Sequence, residues 1–448
     1  MFFTHSKQAP VRRTASVERV LRHLALLSCS VASGAMGQGV LAPLPTVPGQ
    51  MPSPPVADPL TGGITTGAAG GAEAVAQGTA AMLPGLATGE LLRWGDVHVR
   101  THVTYQFLDG TGIQSSPGQS GNVISHTINP GATVSLGSHW TLDYEPTLVY
   151  YSGSRFRNSV NQAVSLTGAT SYNNWTLGLS QGYSRSDQPL AETASQTASQ
   201  SYSAGLNANY DFNNKWSLEM NGGAGLTFVD SSQNKTNFQA PLSDSQNYFS
   251  SAWMNYQFDS RLSAAVGVSG GYSDQNGGFQ SVSEQLLGRI ILRPGAKLSI
   301  SADGGVENEH FLNTGGTVLW NPVMAANIDY NMFEKTTLTL SANRSVEASL
   351  FQNQVTEDTT VGLGLIQRLF GWLQMSLAYS HSIDDFIGST TGSSQRTDTG
   401  NSYQASLSTS FLHHGSISTF YQYSQSSSTQ QGFSYSSHQA GVTLTWAY

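Results

Sequence analysis

The chain has 448 residues and a net charge of −8, and only 11% of its residues are charged and 38% are hydrophobic. A soluble globular domain usually has roughly a quarter charged and nearly half apolar residues. Disorder would explain this polarity, but disordered chains are poor in aromatic residues, and this chain contains 18 Tyr, 18 Phe and 8 Trp. A transmembrane β-barrel accounts for both properties, because its apolar side chains face lipid and its polar side chains line the interior.

The distribution of charge and the single cysteine exclude further classes. Five basic residues against Glu18 make the first 37 residues positive, so the rest of the chain is strongly acidic and has no basic stripe for nucleic acid. Cys29 lies in this N-terminal segment, so we expect no disulfides beyond it. No stretch reaches the roughly 18 consecutive apolar residues of a membrane-spanning helix. A membrane would therefore be crossed with strands.

The first 90 residues differ in composition from the rest. Residues 1–37 are typical of a secretory signal peptide, because a basic region precedes the apolar Leu24–Val31 and the small-residue cleavage motif Ala35-Met36-Gly37. Residues 38–90 hold eight of the chain's 16 prolines and a Gly/Ala/Thr tract. This composition predicts a disordered periplasmic linker. Residues 91–448 are the predicted transmembrane domain.

From about Val97 to the C-terminus, apolar and polar residues alternate. Between Trp216 and Phe228, for example, every second residue is apolar or Gly, and the intervening residues are Ser, Glu, Asn, Gly and Thr. Successive side chains of a strand point to opposite faces, so each such segment has one apolar and one polar face.

Short turns and longer polar connections divide these segments, and Gly, Asn and Asp suit tight hairpins. The predicted turns are Gly137-Ser138, Asn173-Asn174, Asn213-Asn214, Asp259-Ser260, Pro294-Gly295, Asn331–Glu334, Phe370-Gly371 and His413–Gly415. The predicted loops are 108–121, 186–198, 230–245, 307–315 and 382–400. Eight turns join nine hairpins, which predicts about 18 antiparallel strands.

The alternation predicts a closed architecture. An open sheet edge in hydrocarbon leaves backbone groups unpaired at several kcal/mol each. We therefore expect an all-β fold, a single antiparallel up-and-down transmembrane β-barrel, wide enough for an aqueous lumen. The main competing fold is a secreted β-sandwich or solenoid, in which the apolar face would turn toward a dry core.

Aromatic residues recur on the turn side of the predicted strands. Amphipathic rings favour the headgroup zone of a membrane, so this recurrence predicts one interfacial girdle. The alternative is aromatic packing at the end of a soluble sandwich. The predicted girdle comprises Trp140, Trp175, Trp216, Phe258 and Trp372.

The last strand supports a resemblance to a known family. Leu444, Trp446 and the terminal Tyr448 share one parity, and they resemble the assembly signal of bacterial outer-membrane barrels. The hairpin pattern of 210–218 is similar to that of the β-barrel porin families of Gram-negative bacteria, some of which belong to exopolysaccharide export systems. The resemblance implies an outer-membrane location, contact with lipid and with the barrel-assembly machinery, extracellular long loops, periplasmic termini and a transport role.

Several charged residues fall on the polar parity, and we expect them to face the lumen. They are candidates for a charged constriction that sets ion preference; the alternative is solvated charges that pair with one another. These residues are His98, Arg100, His102, Asp143, Glu145, Glu219, Arg289 and Asp303.

Catalytic and metal-binding motifs are weak. His381 lies near Asp384 and Asp385 in a predicted loop, but no other loop offers the further acid and base groups that catalysis needs. The segment 307–310 is a second His-carboxylate run and is interpreted as a solvated loop. Residues 274–278 lack the downstream Glu of a calcium loop, so they are interpreted as a turn. We therefore expect no enzyme activity, no cofactor and no metal.

Three functions remain open. The first is a water-filled pore for passive or assisted passage of small polar solutes. The second is an outer-membrane component of an exopolysaccharide export system, with residues 38–90 contacting periplasmic partners. The third is a structural or adhesive surface barrel with a closed lumen.

Overall fold

A computed structural model describes residues 92–116, 118–190, 195–230, 242–312, 318–348, 354–388, 396–412 and 414–447. The predicted signal peptide, the predicted linker, Leu91 and Tyr448 lie outside the described residues. No helix among the described residues is long and apolar enough to cross a membrane.

The described residues form 19 strands. They are β1 (Leu92–Trp94), β2 (Val97–Ser116), β3 (Gln119–Leu136), β4 (Trp140–Ser152), β5 (Ser159–Tyr172), β6 (Trp175–Leu190), β7 (Ser195–Asp211), β8 (Trp216–Val229), β9 (Ser245–Gln257), β10 (Leu262–Gln275), β11 (Gln280–Gly295), β12 (Leu298–Phe311), β13 (Val318–Phe333), β14 (Thr336–Ala348), β15 (Gln354–Leu369), β16 (Leu373–Gly388), β17 (Arg396–Phe411), β18 (Gly415–Ser428) and β19 (Tyr435–Ala447).

Strands β2 to β19 close into a barrel. Each pairs antiparallel with the next in chain order. β19 then pairs with β2, from Ala447 opposite His102 to His438 opposite Thr111. The predicted fold class, an antiparallel barrel of about 18 strands, is confirmed. The short β1 was not predicted; it pairs with the start of β2, beyond the last residue of β19 on the same edge.

The outer face of the barrel is apolar, as the alternation predicts. On β10, Val266 and Val268 are 63% and 55% exposed, and on β11, Leu286 and Ile290 are exposed to a similar degree. Paired residues of adjacent antiparallel strands lie on the same face, so these positions fix the outer face for the neighbouring strands. The opposite parity faces the interior of the closed barrel.

The turns lie close to the predicted positions. Asn173 and Gly137 adopt the left-handed conformation with φ of 52° and 62°, which their residue types favour. Asp259 accepts hydrogen bonds from the backbone N–H of Arg261 (2.7 Å) and Leu262 (2.9 Å). These bonds hold the pKa of the Asp259 carboxyl below its usual value. Pro294-Gly295 was placed slightly too early, because both residues end β11 and the chain turns after them.

Four of the five predicted loops are largely strand. β2 and β3 extend through most of 108–121, and β6 and β7 extend into 186–198. Likewise β12 contains 307–311, and β16 and β17 cover both ends of 382–400. Polar residues fall on both faces of these segments, which weakens the period-two signal on which the prediction depended.

Outward-facing aromatic residues lie at two levels of the barrel, here called the turn-side girdle and the loop-side girdle. The predicted turn-side girdle includes the ring pairs Trp175–Tyr210 and Trp216–Tyr256, with centroids 4.7 and 4.6 Å apart. A loop-side girdle contains Tyr183 and Tyr202, with centroids 4.9 Å apart. Other outward rings at this level are Tyr248, Tyr272, Tyr379, Tyr403 and Tyr423.

The spacing of the two girdles is close to the thickness of the apolar band of a membrane. Tyr183 follows Trp175 by eight residues, and Tyr202 precedes Tyr210 by eight. At ~3.3 Å per residue and a tilt of ~40°, eight residues span ~20 Å along the barrel axis, close to the ~25 Å apolar band of outer-membrane barrels. Because β6 continues to Leu190, the strands project beyond the membrane on the loop side. This explains why the loop-side ends of the strands are polar on both faces.

Gly112 permits closure of the seam between β2 and β19. It has a φ of 74°, and a Cβ at this position would overlap the backbone carbonyl oxygen of Ser436 on β19. The register of β2 with β3 also shifts here, between Gly110 and Ile113. Only Gly avoids both the strain and the overlap.

We predict that Gly112→Ala destabilises the barrel. The left-handed conformation alone costs about 1–2 kcal/mol for an L residue, and the overlap with Ser436 adds to it. The measurement is the midpoint of denaturant unfolding in detergent micelles, followed by Trp fluorescence. Gly288→Ala is the control, because the nearest atom to its Cβ would be 3.9 Å away. Equal midpoints for the two variants would contradict this explanation of the seam.

Candidate functional site

Three of the predicted lumen charges meet in one cluster on the inner wall. Arg289 of β11 donates from Nε to Asp303 Oδ1 of β12 at 2.6 Å, and its Nη1 lies 3.3 Å from Glu219 Oε2 of β8. Arg289 and Asp303 are opposite each other in the register. The three side chains are between 11% and 30% exposed. Two carboxylates against one guanidinium leave this cluster, here called the Arg289 cluster, with a net negative charge.

A buried tryptophan supports the Arg289 cluster. The guanidinium carbon of Arg289 lies 4.1 Å from the centroid of the Trp253 ring, at a distance where a cation–π interaction is favourable. Trp253 is fully buried, and its ring lies over Gly267 of β10, where a Cβ would overlap it. The ring therefore lies against the wall and does not extend across the lumen.

The inner wall is less polar than predicted. Trp253 packs with Ala265, Leu287, Val323 and Ala325 in a buried apolar cluster on the interior parity. The prediction of a purely hydrophilic lining is wrong at this patch. β9 carried a signal that would have revealed it, because Phe249 and Trp253 fall on the polar parity and each lies over a Gly of a neighbouring strand, Gly223 or Gly267. Aromatic residues opposite glycines can pack flat on an inner wall.

A second group of predicted charges lies on β2 to β4. His102 covers Gly131 of β3, and its Nε2 lies 3.8 Å from Glu145 Oε1 of β4. The nearby Asp143 accepts a hydrogen bond of 2.6 Å from Thr133 Oγ1. Both carboxylates line a cavity of about 310 Å³ whose other lining residues are mainly Ser, Gly and Ala. These side chains are within reach of water in the lumen.

The remaining predicted charges, His98 and Arg100, share the interior parity of β2 with His102. The structure therefore brings Glu219, Arg289 and Asp303 together, and separately His102 and Glu145. Whether any of the eight controls ion preference stays a prediction.

Several connections at the loop-side end of the barrel fold inward and narrow the lumen. Three of them place a buried phenylalanine against inner-face side chains. Phe156 contacts Tyr151 with ring centroids 5.3 Å apart, and Phe279 contacts Phe311 at 5.1 Å. Phe433 lies 4.0 Å from the guanidinium carbon of Arg396. No signal in the sequence distinguishes these rings from exposed loop aromatics.

The start of β15 also makes contacts inside the loop-side end of the barrel. The side chain of Gln275, at the end of β10, donates to the backbone carbonyl of Gln354 at the start of β15 (3.3 Å). Val355 packs with Phe279 and Phe311 in a second buried apolar cluster. β10 and β15 are not neighbours in the barrel, so this contact brings the loop-side ends of two separate strands together inside the barrel.

The two candidate His-carboxylate motifs lie on strands. On β16, His381 and Asp384 have opposite parity, so their side chains point to opposite faces. His381 Nδ1 is 3.1 Å from Asn401 Oδ1, and Asp385 accepts a hydrogen bond from Thr397. On β12, Glu307 and Glu309 face inward, whereas His310 lies on the outer parity. The interpretation of 307–310 as a solvated loop is wrong, because both carboxylates are buried.

No family model and no curated protein matches the sequence. Solved structures that are similar to the chain include OccAB3 of Acinetobacter baumannii, at TM-score 0.42 and 9% identity over 78% of this chain and 99% of that one. OpdL of Pseudomonas aeruginosa has a TM-score of 0.41 and 13% identity, over 79% of this chain and 98% of that one. A structure described as a bacterial polysaccharide outer membrane secretin has a TM-score of 0.34 and 11% identity, over 78% of this chain and 98% of that one. The fold assignment itself rests on the strand pairing and the exposed apolar face.

Proposed function

We propose that the chain is an outer-membrane channel for the passage of small polar solutes. The observation that carries the proposal is the closed barrel of 18 strands, apolar outside and largely polar inside. A barrel of this size has room for an aqueous lumen. In this proposal the outer face contacts the lipid of the outer membrane. The resemblance of the last strand to an assembly signal supports insertion by the barrel-assembly machinery.

The proposed orientation follows from the two ends of the barrel. The connections at the turn end are short, and those at the loop end are longer and extend past the girdle. In outer-membrane barrels the short turns face the periplasm and the long loops face outward. We therefore place the loop-side end outside the cell and both termini in the periplasm.

The charges of the inner wall favour cations. Among the predicted lumen residues, Asp143, Glu145, Glu219 and Asp303 provide four carboxylates against the guanidinium groups of Arg100 and Arg289. Rings of carboxylates in a pore attract cations and repel anions. Because inward-folded connections narrow the loop-side end, we expect a small conductance with a cation preference.

We predict that two double variants, Asp143→Asn with Glu145→Gln and Glu219→Gln with Asp303→Asn, each lower the cation/anion permeability ratio severalfold. The reason is the loss of negative potential along the wall. The measurement is the reversal potential in planar bilayers under a salt gradient. Asp109→Asn is the control, since Asp109 is exposed on the outer parity of β2.

Two results would count against the proposal. If the folded protein gave no conductance, the pore itself would be refuted. If it conducted but neither double variant changed the reversal potential, the pore would stand and these four carboxylates would lie outside its selective region.

One observation supports the export component as a second candidate. β1 pairs with the turn-side start of β2, so the residues before Leu92 join the barrel at the end that we place in the periplasm. The linker 38–90 would then be able to bind periplasmic proteins. No catalytic role is proposed, because the His-carboxylate motifs do not assemble.

Deletion of residues 38–90 separates the two candidates. For the channel, we predict that the shortened protein conducts like the full chain, because the linker adds nothing to the barrel wall. The measurement is single-channel conductance together with polymer export in cells. Loss of export at unchanged conductance would favour the export component, and a changed conductance would place the linker in the pore.

A further inference from the structure

Two carboxylates on the inner wall are buried without a counter-charge. Glu307 and Glu309 of β12 are 5% and 7% exposed and lie on the same face. Neither forms an ion pair with a basic side chain in the described part of the chain. Burial of an unneutralised charge is costly, and two adjacent carboxylates repel each other as well. Something has to neutralise this pair.

One oxygen of each carboxylate is held by the wall. Glu307 accepts hydrogen bonds from Ser283 and Gln285 of β11, and Glu309 accepts one from Ser281. The other oxygen, Oε2 in both residues, is buried and has no hydrogen-bond partner among the described residues. The side chains of β11 thus hold the two carboxylates in place, and one oxygen of each carboxylate has no hydrogen bond from the described residues.

Two amide side chains beside the carboxylates also have a buried polar atom without a hydrogen-bond partner among the described residues. Gln285 and Asn321 lie opposite Glu307 in the register, on either side of it. Asn321 is 9% exposed. Gln285 Oε1 and Asn321 Nδ2 are buried and have no hydrogen-bond partner among the described residues. Since the O and N of an amide exchange on a half-turn, Asn321 offers an oxygen at this position.

An apolar layer covers this group on the loop side. Phe311 follows Glu309 on the interior parity, and Leu319 lies opposite Glu309 on β13. Phe311 belongs to the buried cluster with Phe279 and Val355, and Leu319 packs against this cluster. The layer limits access of water and raises the electrostatic energy of an unneutralised pair.

We propose that Glu307, Glu309, Gln285 and Asn321 form a calcium site on the inner wall. Calcium binds six to eight oxygens at about 2.3–2.6 Å in flexible geometry and accepts mixed carboxylate, amide and water ligands. Its two charges match the two carboxylates. Magnesium fits less well, because it requires near-ideal octahedral geometry and retains several waters.

No sequence pattern predicts such a site. Its carboxylates are two residues apart on a strand, and its other ligands come from two neighbouring strands. No group of three or more His, Cys, Asp or Glu suited to a metal occurs in the described residues. The amide oxygens are therefore essential to the proposed ligand set. The site is independent of the proposed channel function, because it depends only on the wall of β11 to β13.

The test is calorimetric titration of calcium chloride into the refolded full-length barrel in detergent, free of lipopolysaccharide. We expect one binding site, and at least about tenfold weaker binding for Glu307→Gln and for Glu309→Gln. Glu284→Gln is the matched control, because Glu284 neighbours Gln285 but is exposed on the outer parity. It should bind calcium like the unchanged chain.

Unfolding in denaturant provides a second measurement, in which Glu307→Gln should have opposite effects on stability without and with calcium. Without calcium, in the presence of a chelator, Glu307→Gln should unfold at a higher denaturant concentration than the unchanged chain, because charge repulsion is relieved. With calcium, the order should reverse. Absence of calcium binding by the unchanged chain would overturn the proposal and leave protons as the neutralising species. Equal effects of Glu284→Gln and Glu307→Gln would overturn it too.

Discussion

The backbone of a chain in hydrocarbon has to satisfy its own hydrogen bonds, and the remaining structure depends on that constraint. A sheet with one apolar face meets it only by pairing its first strand with its last, as β2 and β19 do. The left-handed Gly112 permits the close approach at one end of this seam. Closure in turn determines what each face of a strand contacts. Side chains of one parity face lipid, and those of the other parity face an interior in which charged groups can lie.

The interior is not uniform along the barrel. Toward the turn end, carboxylates and the Arg289 cluster line a partly accessible wall, and Trp253 packs flat against it. Toward the loop end, strands that extend past the loop-side girdle bring apolar rings and the start of β15 into the lumen. A charged wall behind a narrow mouth suits a selective passage better than a wide, general one.

The fold could be predicted from the sequence wherever one face of a strand contacts lipid. The alternation of Val266 and Val268 with small residues, and the turn at Asn173-Asn174, were sufficient to predict strands and hairpins. Prediction failed beyond the loop-side girdle, because the sequence of the strand ends there, as in β6 after Tyr183, has polar residues on both parities and loses the periodicity. It also missed Trp253, although this residue falls on the polar parity of β9, because a hydrophilic lining was expected for the whole inner wall. The pairing of Arg289 with Glu219 depends on strands distant in sequence, which local patterns do not encode.

The most direct test of the account is the alternation of environment along one strand. Nitroxide labels on single cysteines in β10, in a chain without Cys29, would be placed at Val266 and Val268 on the outer parity and at Ser269 and Ser273 on the inner parity. In lipid bilayers, we expect oxygen to relax the labels at Val266 and Val268, and a water-soluble nickel chelate to relax those at Ser269 and Ser273. The reverse pattern, or no alternation, would contradict a barrel with lipid outside and water within.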